Sequence, residues 1–280
     1  MFTSEATQED FDGGGQFLTG TRVNRAPAIE SIDAVRQIHR MRDFALRSAG
    51  DETRRIRSAC MIAARFDPSA DAKSMAAAKK LADAAYKSID AGKPEGIALM
   101  VAPIVEGTMR RRDDALSDVK AAEKRAKAVL KEWHVAKFVE ETCGFGWVGL
   151  LQIIGEAGDL GAYSNPAKLW KRMGLGLIST GERQRKFTDV AKALEAGYSP
   201  KRRSLMYVIG DSMIKTQGPY RELYLTRKAY EQAKLPDGTA MVWHRRAQRY
   251  MEKRLLRNLW RAWRGMPAGI NAAEDERDVA

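Results

Sequence analysis

Two stretches of the sequence carry residue types at spacings suited to holding a phosphate. The first is Cys143-Gly144-Phe145-Gly146-Trp147. Glycines flanking one residue permit backbone angles that other residues avoid, which suits a tight turn between helices. If one helix ends at Thr142-Cys143 and the next starts near Trp147, the second presents unpaired N–H groups and a positive dipole end at the turn. Glycine–apolar–glycine between helices is the helix-hairpin-helix pattern, which grips a sugar-phosphate backbone without reading bases; the alternative is a plain structural junction of two helices. Phe145 is expected to pin the turn to the core. The second stretch is Ser199-Pro200-Lys201-Arg202-Arg203. Serine caps a helix and proline suits its first position, so the basic triplet falls in the first turn, where the helix dipole disfavours cations. An anion there would offset that cost, so Lys201, Arg202 and Arg203 are expected to touch phosphate; the alternative is a solvated turn.

Positive charge is concentrated beyond these stretches. The formal net charge is +12, and residues 201–264 hold 16 Lys/Arg against 5 Asp/Glu. Such a stretch attracts polyanions. Arg245, Arg246, Arg249, Lys253, Arg254, Arg257, Arg261 and Arg264 read as the polar side of a C-terminal helix, with Met251, Leu255, Leu256, Leu259, Trp260 and Trp263 as its apolar, core-facing side. Tyr220, Tyr224 and Tyr230 interleave with Arg221, Arg227 and Lys228, a pattern that suits unpaired nucleotides or, alternatively, a helix packed on its neighbour. Other chemistries find little support. The three histidines (His39, His134, His244) are scattered, and Cys60 and Cys143 are too few for a zinc cluster and read as free thiols. No metal site or resident cofactor is expected. No apolar run is long enough to span a bilayer, and Glu5, Glu9, Asp10 and Asp12 argue against a secretory signal. A cytoplasmic, nucleoid-associated location follows as an expectation, with no membrane partner.

The elements that must position these residues read as helices throughout, so the expected fold is all-α. Residues 1–28 carry Gly13-Gly14-Gly15 and read as a mobile tail, and 266–280 as a mobile acidic tail. Region 29–140 is expected to be helical: a helix from Ile29 broken at Gly50-Asp51, a second opening on Arg54-Arg55-Ile56-Arg57, an alanine-rich helix over 71–90, and one long helix over about 97–141. In that helix Val119, Ala122, Ala126, Val129, Trp133 and Ala136 make a coiled-coil-like seam, for a partner helix in the same chain or for a second chain. Long antiparallel helices thus lead into a helix-hairpin-helix domain over 141–265.

Order and spacing across that domain add a family resemblance. Gly144 to Asp159, then Tyr163, Ser164-Asn165-Pro166, Leu169, Gly174-Leu175 and Ser179-Thr180-Gly181, resembles the C-terminal half of DEDD-type bacterial insertion-sequence transposases, the IS-one-ten group. The resemblance covers roughly residues 95–265. It implies a DNA-binding protein of mobile-element origin that takes part in transposition or recombination, as a homo-oligomer, joined through the 97–141 helix. It also admits structured RNA as a partner. By position, Ser179 or Thr180 is the candidate nucleophile, with Arg183, Arg185 and Lys186 beside it to stabilise charge on phosphorus or simply to hold a phosphate; a catalytic chain of this family would need Mg²⁺. The chain departs from the family pattern in several places. The loop before Ser-Thr-Gly is short and lacks proline, Thr180 stands where serine is usual, extra residues precede Gly197, and the N-terminal half with its four metal-binding acids is not recognisable. Two other readings therefore stand beside the first: a non-catalytic architectural or accessory nucleic-acid binder, and a protein-interaction scaffold.

Overall fold

A computed structural model describes residues 28–268, so most of the two terminal segments read as tails lies outside the described residues. The described residues are all-α, with ten α-helices, one 3-10 turn and a single isolated antiparallel bridge.

Three long helices form an arm: α1 (Ile29–Ala63), α2 (Ala72–Asp90) and α3 (Ala98–Leu130). Gly50 does not break α1 as the sequence suggests. A mid-helix glycine costs only about 1 kcal/mol, and here Ala49, Glu52, Ile56 and Cys60 are all buried on the face that packs on α3 and α2. The stop after α1 is the turn at Arg65, and Asp71 caps α2 by accepting from the amides of Lys73 and Ser74. The far end of the arm closes on its own small core, where Ile56 and Cys60 meet Ala82, Ala85 and Ile89 and then Ala98, Val101 and Val105. Val119, Ala122 and Ala126, the seam read as a contact surface for a partner helix, are buried beneath α1 of the same chain. Small side chains let the two backbones close up, and the surface expected to join a second chain through that seam is already covered.

The expected helix over 97–141 is interrupted at Lys131–Val135 and resumes as the short α4 (Ala136–Glu141). The reason lies in Trp133 and Val135, both buried. In a continuous helix residues two apart point about 200° apart, so both cannot enter one core. The break turns them inward together, with Trp133 Nε1 donating to Ser31 Oγ at 3.1 Å and its ring edge-on to Trp263 at 5.6 Å.

The main core joins Ile32 and Val35 of α1 and Leu130 of α3 to α5 (Trp147–Ala157), α6 (Pro166–Arg172), α8 (Pro200–Lys215), α9 (Pro219–Lys234) and α10 (Ala240–Trp263). The short α7 (Val190–Ala196) follows the loop after α6. Helix α10 lies at the centre. The pattern of one polar side and one apolar side holds at its start but not beyond: Arg254, Arg257 and Asn258 are as buried as Leu255 and Leu259. The helix is surrounded by α6, α8, α9 and the 3-10 turn Leu160–Ala162, so its arginine heads are absorbed inside the protein, Arg254 donating to Tyr250 Oη at 2.8 Å. Trp260 and Trp263 are core residues, as their spacing suggests, donating to Tyr163 O and Asp159 Oδ1.

Candidate nucleic-acid interface

The Gly144–Trp147 turn connects α4 to α5, as the sequence requires. Thr142 ends α4 with its hydroxyl on Phe138 O, and the Phe145 amide donates to Thr142 O at 3.1 Å. Gly144 has φ +80, and a Cβ there would lie 2.7 Å from Met213 Cα of α8, so both conformation and contact demand glycine. Phe145 is 3% exposed and edge-on to Phe138. It is a pin, not a ligand contact. Gly146 is different: its backbone is ordinary extended chain and nothing lies within 4 Å of a Cβ placed on it. It caps α5 with no side chain over the first amides. A recess of about 540 Å³ opens there, bounded by Gly144–Gly149, Lys124 and Lys127 of α3 and Ser212 of α8.

Ser179 and Thr180 sit at the tip of a small β-turn loop. The Ile178 amide donates to Glu182 O and the Gly181 amide to Ile178 O, both at 2.9 Å, and Leu177 bridges Arg183. Ser179 presents its amide (2.5 Å) and hydroxyl (3.2 Å) to the Glu195 carboxylate, and Thr180 Oγ1 donates to Glu182. Those donors hold Glu195 below the usual carboxylate range. The group that accepts from the serine is thus a weak base, and no histidine approaches it. The loop is anchored by a residue that sequence reading passed over. Gln184, 2% exposed, accepts from the Gly176 amide at 2.7 Å and donates to Lys171 O and Ala196 O. No motif marks such a glutamine; only its burial between charged neighbours does.

On either side of this loop lie two adjoining clefts of about 1000 Å³ and about 1070 Å³. They share Arg246, Arg249 and Lys253 of α10, at helix spacings that place all three on one face. Arg183, Arg185, Arg203 and Arg245 add to the second cleft, which no Asp or Glu lines. Some of these cations are paired: Arg185 with Glu182, Arg246 with Glu231 and Arg203 with Glu252. Arg183, Arg245, Arg249 and Lys253 have no carboxylate partner among the described residues. Lys186 is exposed beside the loop but does not line either cleft. The sequence marks Arg183, Arg185, Arg203, Arg245, Arg246 and Arg249 of these lining residues as candidate DNA contacts; Lys253 enters it only as one residue of the polar side of the C-terminal helix.

The triplet expected to touch phosphate is occupied within the chain. Ser199 caps α8 and Pro200 opens it. Lys201 Nζ then bridges Asp43 and Glu156 Oε1 (2.5 Å to the latter), Arg202 Nε donates to Glu156 at 3.2 Å, and Arg203 Nη1 to Glu252 at 2.6 Å. The anion that this placement calls for is supplied by α1, α5 and α10. His39 completes the cluster, Nε2 lying 3.4 Å from Glu156 Oε1 and 3.5 Å from Asp43 Oδ2. The ring rests on the α5 backbone, where a Cβ at Gly155 would come within 2.2 Å of it. His39, Asp43 and Glu156 offer a metal-like ligand set, but the Lys201 ammonium holds the cation position between the two carboxylates. Burial would push Glu156 up; the bonds from Lys201, Arg202 and His39 outweigh it and bring the carboxyl down to about 2.

The tyrosines do not form a stacking platform. Tyr220 and Tyr224 are buried, with their hydroxyls on Asn258 and His244. Tyr250 carries the guanidinium groups of Arg227 and Arg254 at 4.5 and 4.9 Å, and Tyr230 carries Arg227 and Lys234. Cations thus already lie over these rings, and of Tyr220, Tyr224 and Tyr230 only Tyr230 is exposed. Among the described residues no helix is long and apolar enough to cross a membrane. Comparison with protein-family models, with curated proteins and with solved structures gives no match.

Proposed function

We propose that the chain is a DNA-binding protein of the transposase-like kind that its sequence resembles, gripping a duplex by its phosphates during transposition or recombination. The observation that carries the reading is the pair of clefts beside the Ser179–Gly181 loop, where Arg183, Arg245, Arg249 and Lys253 stand without carboxylate partners. A protein seldom gathers unmatched cations in a concave site unless an anion visits it, and a polyanion rewards several at once. The helix-hairpin-helix reading of 142–147 is supported by Gly146, whose missing side chain serves no packing need but leaves the α5 amides open. Lys124 and Lys127 flank that recess. Helix α8 runs from Arg203 in the cleft to Ser212 at the hairpin, about 14 Å of helix rise.

A non-catalytic, architectural role is the second reading, and the Ser179 environment favours it. The hydroxyl bonds a carboxylate of lowered pKa, which is a poor acceptor for the proton a nucleophile must lose.

The test is duplex binding across a salt series. Each phosphate contact contributes about 0.9 to the negative slope of log affinity against log salt. The R183A/R245A variant is expected to bind more weakly and to lower that slope by about 2, with unfolding unchanged because both side chains are exposed and unpaired. No duplex binding near physiological salt, or a slope that the variant leaves intact, would overturn the reading.

A further inference from the structure

The unmatched charge is not spread evenly over the clefts; it is deepest on the α10 floor. We propose that Arg249 and Lys253 form a binding site for a phosphoryl group, roofed by the loop that carries Arg183. Arg249 is fixed in place: Nη2 donates to Gly174 O at 3.0 Å. Gly174 is itself held, with φ +77 and space for a Cβ limited by Arg203 at 3.3 Å. That anchor leaves the buried Nε of Arg249 with no acceptor. Lys253 lies one turn further along the same face, with Nζ 5.0 Å above the Trp170 ring and no ion pair. The nearest carboxylate, Glu252, is fully buried and spends one oxygen on Arg203, while its other oxygen has no partner.

The acid–base behaviour agrees with this geometry. Burial, then the neighbouring Arg203, push Arg249 down to about 10 against the opposing charge of Glu252, and burial with Arg249 lowers Lys253. Burial likewise pushes Glu252 up to about 7 despite Arg203 and Arg249, so it is an incomplete counter-charge for both. What the site lacks is an anion that can accept from a planar guanidinium and an ammonium at once. A phosphoryl group, with oxygens pointing several ways, meets that need.

The site stands on its own geometry; for its natural ligand, a backbone phosphodiester, the inference rests on the nucleic-acid reading. A free phosphate shares the chemistry, so the experiment separates the two. Thermal unfolding of the full chain is followed in inorganic phosphate and in sodium chloride of equal ionic strength, for wild type, R249Q and K253M. At ten times its dissociation constant, phosphate should raise the wild-type midpoint by about 3–6 °C over chloride. Both variants should lose that shift. K253M keeps the aliphatic stem against Trp170 and so covers the case in which R249Q does not fold. No shift in wild type, or the same shift in the variants, overturns the proposal. Duplex binding of the variants then assigns the source. An affinity loss of tenfold or more marks the backbone phosphodiester; an unchanged affinity beside a lost phosphate shift supports the site with a free anion as ligand. Wild type that shows the phosphate shift but binds no duplex would fail the nucleic-acid reading alone. Steep duplex binding without any phosphate shift would fail this site alone.

Discussion

Glu156 decides whether the basic triplet of α8 holds the fold together or reaches for a ligand. Its carboxyl is brought from an ordinary 4.5 to about 2 in the folded chain, and its side chain is only 12% exposed. The folded value is the lower one, so the stabilisation is fully present above pH 4.5 and is lost as pH falls toward 2. A difference of that size is worth about 3 kcal/mol, of which about 2 kcal/mol is gone by pH 3. Replacing the group with E156Q removes this titration while keeping the shape. The variant is expected to be about 3 kcal/mol less stable than wild type at pH 6, and the gap should close to about 1 kcal/mol at pH 3. Urea unfolding of both proteins from pH 6 to pH 3 measures the gap directly, and carboxylates outside the Lys201 cluster cancel because both proteins carry them. A gap that stays constant over this range would refute the linkage and with it the Lys201–Glu156–Arg202 latch. The same reasoning separates structure from binding. A K201A/R202A variant should lose stability and change duplex affinity less than threefold, the reverse of the pattern expected for R183A/R245A.

Two further outcomes follow from the loops. G144A must place a Cβ 2.7 Å from Met213 Cα at φ +80 and is expected to cost about 2–4 kcal/mol in chemical unfolding, whereas G146A meets nothing and should cost about 1 kcal/mol or less while weakening duplex binding. Q184L strips the partners from Gly176 N, Lys171 O and Ala196 O; hydrogen exchange over 174–197 should rise at least tenfold with the arm unaffected, since unsatisfied buried groups cost about 1–3 kcal/mol each.

Local signals in this sequence were legible where one residue dictates one conformation. Ser199-Pro200 starts α8, and Trp147 starts α5 after the glycine turn, because capping and φ restriction act within a few residues. The spacing of Trp260 and Trp263 placed them in the core. What stayed hidden depends on partners distant in the chain. Gly50 reads as a breaker until α3 is known to cover the neighbouring Ala49. The interruption at 131–135 exists because Trp133 and Val135 must enter the same core, which no propensity encodes. Lys201 reads as a free cation because Asp43 lies far back in α1, and Arg249 looks like Arg257 until one is found in a cleft and the other inside the protein.

That last contrast carries the functional argument further than the net charge can. A surplus concentrated in residues 201–264 suggests a basic face, yet Lys201, Arg202 and Arg203 are neutralised by carboxylates, Arg254 and Arg257 are buried, and Arg264 donates to Gly161 O and Tyr163 O. Folding thus consumes much of the cationic stretch. Of the cations in this stretch without a carboxylate partner, Arg245, Arg249 and Lys253 from α10 line the cleft beside the loop, where Arg183 joins them, while Lys228 and Lys234 of α9 lean on tyrosine rings. Unpaired cations such as Lys80, Lys120 and Lys186 stand on exposed surface, where water screens each at little cost, whereas these four converge on one cleft. Gathering them in a concavity raises mutual repulsion and desolvation, a cost that a bound phosphate backbone would offset.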